Sequence, residues 1–165
     1  GGGGNGPQAA AAYGMSDVAD RNGFIVAYPN GSSRIGSMLT WNAANCCGYA
    51  HDSGVDDVRF ISDLLDELER RYNIDVRRIY VTGMSNGGMM TFRMLCEASE
   101  LFAGAATIIA NMPAGVGERC QVRKPLPLVM FNGTADPLVP YEGGNVGFRG
   151  QRGRVWSAER TAECA

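Results

Sequence analysis

Residues 79–90 read Ile-Tyr-Val-Thr-Gly-Met-Ser-Asn-Gly-Gly-Met-Met: a β-branched apolar run, then Gly-x-Ser-x-Gly, then a helix-forming stretch. The pentapeptide alone says little in a chain with 23 glycines among 165 residues. Between a strand and a helix, however, it describes a nucleophile elbow. Glycines two before and two after Ser85 permit a strained turn that lifts the hydroxyl above the sheet. A helix opening directly after Ser85 also points free backbone N–H groups at developing negative charge, which makes the N–H of Asn86 a candidate oxyanion donor. The competing reading is a glycine-rich turn that only caps the helix.

A second element comes 51 residues later, where the apolar run 128–131 is followed by Asn132-Gly133-Thr134-Ala135-Asp136-Pro137. An acid just past the carboxyl end of a strand lies where open α/β sheets build their sites, and Asp136 could there orient a histidine and stabilise its imidazolium. Taken by itself, Asp136 reads equally as a turn residue before proline. Its position after the serine fits the chain order Ser, Asp, His of α/β-hydrolases. That order argues against His51, the only histidine, because it precedes Ser85 and lies in a cysteine-containing loop. The general base is therefore expected downstream of Ala165, and the segment 1–165 is expected to be inactive by itself.

The opening Gly1-Gly2-Gly3-Gly4-Asn5-Gly6 formally satisfies the dinucleotide pattern Gly-x-Gly-x-x-Gly. It lacks a preceding strand, and the next apolar run ends in Pro29-Asn30 without an acid for a ribose. A glycine tract leading into a helix suits an oxyanion loop better, with Gly1 and Gly2 as candidate N–H donors. Asp56 and Asp57 read as helix-start acids, and Met84, Met89 and Met90 as core filler. Adjacent Cys46-Cys47 lacks zinc-site spacing, so neither a metal nor a cofactor is expected.

These residues need elements to hold them. Residues 8–22 carry a helical pattern that stops at Gly23. Residues 24–28 form a short apolar run closed by Pro29-Asn30-Gly31, which predicts a strand buried on both faces. Residues 31–54 predict a long loop of the kind that lines a site. Apolar positions at Val55, Val58, Ile61, Leu64, Leu65, Leu68 and Tyr72 predict an amphipathic surface helix. Strands are predicted over 78–82, 102–110 and 126–131, a helix over 86–98, and a last helix over 150–165 with Val155 and Trp156 inward. Helices alternating with continuous apolar strands predict an α/β fold, a mostly parallel sheet with helices on both faces.

The chain is 45% hydrophobic and 19% charged, with 15 Lys+Arg against 17 Asp+Glu and a net charge of −2. That composition predicts one globular domain without a phosphate-tracking surface, which removes nucleic acid as a partner. No apolar run approaches the roughly 20 residues a membrane-spanning helix needs. A start without Met and an end inside a helical pattern predict a partial domain, incomplete at both ends. Five cysteines fit an oxidising compartment. A bond between neighbours Cys46 and Cys47 is expected to be strained, so each is expected to reach Cys96 or Cys120, leaving Cys164 for a partner downstream.

The glycine tract, residues 24–31, Trp41 with Cys46-Cys47-Gly48, Gly54-Val55-Asp56-Asp57-Val58, the elbow and Asn132-Gly133-Thr134-Ala135-Asp136-Pro137 together resemble the polyhydroxybutyrate depolymerase and feruloyl esterase-like family, over nearly the whole chain. The resemblance implies an α/β-hydrolase fold and a secreted, extracellular serine esterase. Its substrate would be an ester, polymeric in some members: polyhydroxyalkanoates or hydroxycinnamoyl esters of polysaccharides. It implies Ser85 as nucleophile, Asp136 as acid and Gly1 to Gly3 as the glycines of a His-Gly-Gly oxyanion loop. Asn132 departs from relatives that often carry His there, and no histidine matches the base. The family's topology further implies a strand between residues 24–28 and the strand before Ser85, so this segment is expected to leave a gap, re-pair or aggregate. Two other readings remain: a peptidase or acyltransferase of the same fold, and a non-catalytic polymer- or carbohydrate-binding domain.

Overall fold

A computed structural model describes residues 1–147 and 152–164. The helical pattern near the start is divided into α1 (Gly6–Ala12) and α2 (Met15–Asn22). Gly14, at φ 62°, breaks the run, and Gly23, at φ 68°, ends it as expected for a left-handed C-cap. Asn5 caps α1 by accepting from Gln8 N at 3.0 Å. The loop that follows contains α3 (Gly48–Asp52). The amphipathic helix is α4 (Asp57–Arg71), capped by Asp56, whose carboxylate accepts from Arg59 N at 3.1 Å.

Three strands, β1 (Tyr80–Met84), β2 (Gly104–Ile108) and β3 (Leu128–Phe131), form a parallel sheet in the order β1-β2-β3. Between β1 and β2 runs α5 (Asn86–Ala98), and after β2 the short α6 (Ala114–Gly117). A hairpin, β4 (Gly144–Asn145) with β5 (Arg154–Val155), and α7 (Ala158–Cys164) complete the order. The expected last helix thus begins eight residues later than predicted. Val155 is buried, but in a strand. Gly150, Gln151 and Ala165 of that prediction lie outside the described residues.

Two apolar clusters flank α5. Met90 and Met94 meet Val58, Ile61 and Leu65 of α4, while Met89, Phe92 and Cys96 pack with Met112, Val116 and Val139. Met89 and Met90 are core filler, as their sequence context predicts. Helical cover is seen on the sheet face bearing Leu128 and Met130. On the other face, where the sequence predicts helices as well, Tyr80, Val129 and Phe131 are 67%, 52% and 58% exposed.

Residues 24–28 belong to no strand, which corrects the prediction. Phe24 and Ile25 are exposed. A strand needs a neighbour to satisfy its backbone, and a slot of about 1500 Å³ separates this segment from β1, lined by Ile25, Ala27, Tyr80, Val81 and Met90 among others.

The cysteine expectation also changes. Cys96, in the last turn of α5, pairs with Cys120 just beyond α6, at a Cα separation of 4.8 Å. That separation is within the normal disulfide range. Cys46 and Cys47 lie beside each other and reach neither of those two; packing of α6 on α5 brings Cys120 opposite Cys96 instead. Cys164 is exposed and unpaired.

Candidate active site

Strand β1 delivers Ser85 at its carboxyl end. Ser85 has φ 54° and ψ −120°, a conformation rare for any residue with a side chain. Its N–H still donates to Ile108 O at 2.9 Å, so the turn begins while β1 is paired, and its carbonyl accepts from Met89 N at 2.9 Å to start α5. The chain reverses so tightly that a Cβ on Gly83 would overlap the Gly87 carbonyl, and one on Gly88 would come within 2.5 Å of the Ala110 Cβ. The glycine two before Ser85 therefore has a steric cause, whereas the one two after does not: a Cβ on Gly87 would meet only Gly1 N at 3.8 Å, and the crowded partner is Gly88, one residue further on. Asn86 is the first residue of α5, where an N–H has no acceptor inside the helix.

The glycine tract lies against this turn. A Cβ on Gly2 would sit 3.4 Å from the Asn86 Cβ, and one on Gly1 would sit 3.4 Å from Met84 Cε. Gly3 N donates to Leu39 O at 2.8 Å and Leu39 N to Gly4 O at 3.2 Å, so the tract is laced to the long loop. Ser85, Asn86, Gly1 and Gly2 are thus brought together.

Sequence reasoning missed how that loop is fixed. The Asn86 side chain, almost fully buried, accepts from Trp41 N at 2.7 Å and donates to Trp41 O at 3.0 Å. One residue supplies a free N–H at the elbow and a clamp on the loop beside it. Next to the clamp, Asn42 N donates to Asp57 Oδ2 at 2.7 Å and Arg93 donates to Asn42 O at 2.7 Å. Asp57 is the helix-start acid the sequence predicts, in the first turn of α4, and it is also buried: burial pushes its carboxyl above the usual range, against the opposing pull of the Asn42 N–H and the Arg93 charge. An Asn directly after the nucleophile and a Trp in a loop were the available signals, but neither says which meets which.

Asp136 follows β3, the strand beyond β2, so Ser85 and Asp136 both stand at the carboxyl edge of the sheet. Asp136 Oδ1 accepts from Leu138 N at 2.8 Å and Val139 N at 3.0 Å. Its Oδ2 has no partner among the described residues and is available to a donor. His51 lies in α3 with Nδ1 3.1 Å from Asp52 Oδ1, and no hydrogen bond joins it to Ser85 or Asp136. Among the described residues no group of three or more His, Cys, Asp or Glu is gathered to hold a metal ion, and no helix is long and apolar enough to cross a membrane. With a base supplied, the arrangement can perform acyl transfer: a lifted serine, N–H donors beside it and an acid one strand removed from the neighbouring strand.

Known proteins show the following likenesses to this chain. The model of the prolyl oligopeptidase family matches residues 13–113. Feruloyl esterase B of Piromyces equi is 33% identical over 130 residues, covering 77% of this chain and 23% of that protein. A bifunctional acetylxylan esterase/xylanase of Neocallimastix patriciarum is 29% identical over 125 residues, covering 76% of this chain and 16% of that protein. A poly(3-hydroxybutyrate) depolymerase of Ralstonia pickettii is 33% identical over 110 residues, covering 64% and 21%. The chain spans under a quarter of the length of these three relatives. With the family match running through both the loop and the elbow, the chain belongs to the prolyl oligopeptidase family, as an α/β-hydrolase of the feruloyl esterase and polyhydroxybutyrate depolymerase-like kind.

Proposed function

We propose that the protein carrying this chain is a serine esterase that hydrolyses carboxylic esters through an acyl-enzyme. The observation that carries the reading is the backbone of Ser85, φ 54° and ψ −120°, at the junction of β1 and α5. A conformation this costly persists only where the surrounding structure imposes it, and the outcome here is a hydroxyl presented at the sheet edge. Ser85 Oγ attacks the ester carbonyl carbon while a histidine from outside residues 1–165 takes its proton. The carbonyl oxygen, now an oxyanion, is held by the Asn86 N–H and a glycine N–H from Gly1 or Gly2. Collapse expels the alcohol, which receives that proton. Water then attacks the acyl-enzyme with the same histidine as base, and Ser85 is regenerated. Asp136 Oδ2 accepts the other imidazole N–H and stabilises the imidazolium.

For the substrate, the relatives' names favour acyl groups esterified to polysaccharides or polyhydroxyalkanoates, and such substrates call for a secreted enzyme. The Cys96–Cys120 pair fits an oxidising compartment. The peptidase reading shares the elbow and draws on the name of the matching family. The two readings separate when the full-length protein is given p-nitrophenyl butyrate, methyl ferulate and a peptide p-nitroanilide. We expect ester turnover with amide turnover lower by roughly 100-fold or more, and loss of roughly 10⁴-fold in Asp136→Ala. Preferred cleavage of the anilide would replace the esterase by a peptidase, and absence of any turnover would favour a binding domain.

A further inference from the structure

Asn111 is completely buried, a polar side chain among Ala110, Met112 and Val139. A buried carboxamide costs stability unless its groups are paired, and here both ends are. Asn111 Nδ2 donates to Pro140 O at 2.9 Å, and Oδ1 accepts from Asn132 Nδ2 at 2.8 Å. The Asn132 amide also donates to Ala110 O at 3.1 Å. Asn132 opens the loop that carries Asp136, and Pro140 lies four residues past Asp136 in the same loop. A single carboxamide on the exit of β2 therefore ties the loop, on both sides of Asp136, to the strand next to Ser85.

We infer that Asn111 is a positioning residue for Asp136, with Asn132 as its link to the loop. The proposal rests on the reading of Ser85 as nucleophile and Asp136 as acid. Among the described residues the Asp136 carboxylate is held through Oδ1 alone, by two N–H groups of its own loop, Leu138 and Val139. Those bonds turn the carboxylate relative to the loop; they do not place the loop relative to Ser85. Placement comes from ties on either side of Asp136, and the side-chain ones run through Asn111 and Asn132. This also gives Asn132 a function where the sequence showed only a departure from its relatives. Its amide is a donor, and an imidazole N–H at the same position would donate to Asn111 Oδ1 as well.

The test uses the full-length protein with a p-nitrophenyl ester. Asn111→Leu keeps the side-chain size and removes both bonds. It is expected to lower kcat roughly 10- to 100-fold with KM nearly unchanged. The acid limb of the kcat/KM profile is expected to move to lower pH, because an imidazolium that loses its carboxylate gives up its proton more readily. In an Asp136→Ala background the same change should alter kcat by less than about twofold, since the two act through one group. Asn132→Ala should mimic the defect and Asn132→His should restore kcat, which keeps the question answerable if Asn111→Leu does not fold. An unmoved acid limb, or a further loss above about tenfold on top of Asp136→Ala, would overturn the positioning proposal alone. Full turnover by Asp136→Ala would overturn the reading of the acid, and the proposal with it.

Discussion

Ser85→Ala in the full-length protein is expected to reduce ester turnover by roughly 10⁴- to 10⁶-fold. Residual catalysis would come from the N–H donors of the elbow and from substrate binding, which the substitution leaves in place. The loss should fall on kcat. Alanine removes the attacking oxygen, and its methyl group fits wherever the Ser85 Cβ fits. The fold should survive, because the bonds at this residue run through its backbone: Ser85 N to Ile108 O and Met89 N to Ser85 O. Alanine at φ 54° carries the same strain as serine, so thermal unfolding should shift by no more than a few degrees. A variant that keeps a tenth of the parent turnover at unchanged stability would remove Ser85 from the chemistry.

Gly83→Ala should harm both stability and activity, although Gly83 touches no substrate. The added methyl would lie 2.7 Å from Gly88 N and closer still to the Gly87 carbonyl. These are backbone atoms of the first turn of α5 and cannot swing aside as the end of a side chain can. Relief requires α5 to retreat from β1, which disturbs both clusters that α5 joins and moves the Asn86 N–H away from the Ser85 hydroxyl. We expect a destabilisation of about 3 kcal/mol and, in whatever fraction folds, a turnover loss beyond about 100-fold. Gly36→Ala is the control. Gly36 has φ 74° and open space around it, so the change carries only the backbone penalty of about 1–2 kcal/mol and leaves turnover intact. Urea unfolding of the two variants side by side measures the difference, and equal destabilisation would mean that the tight approach at Gly83 is not needed.

What the sequence revealed divides by range of interaction. The elbow was legible because its requirements are local: a β-branched run, glycines at fixed offsets from Ser85 and a helix directly after. Asp136 was legible for the same reason, as an acid just past a strand. The α4 helix followed from its period, and Gly23 from its place at a helix end. Residues 24–28 misled as a paired strand because five apolar residues read alike whether or not a neighbour is there to pair with; the gap expected between them and the strand before Ser85 is the slot that both line. Asp57 was legible as a helix-start acid, but its burial was not, because the groups that face it, Asn42 and Arg93, lie 15 and 36 positions away. The Asn86 clamp on Trp41 spans 45 residues, and Asn111 reaches Pro140 across 29. Contacts of that range arise from strand order and loop path, which become visible only once the sheet is assembled. The cysteines show the same limit: strain between neighbours was the only argument available, and the approach of α6 to α5 decided the pairing of Cys96 with Cys120.

Whether Ser85 is an activated nucleophile facing N–H donors is read from one experiment: the full-length protein is treated with a fluorophosphonate and the adduct mapped by peptide mass spectrometry. The phosphorus takes the place of the ester carbonyl carbon, and its oxygen takes the place of the oxyanion. A single stoichiometric adduct on Ser85 is expected, absent from Ser85→Ala and slowed in Asp136→Ala. A protein that turns over esters while Ser85 stays unlabelled, or an adduct carried by another serine, would contradict that reading.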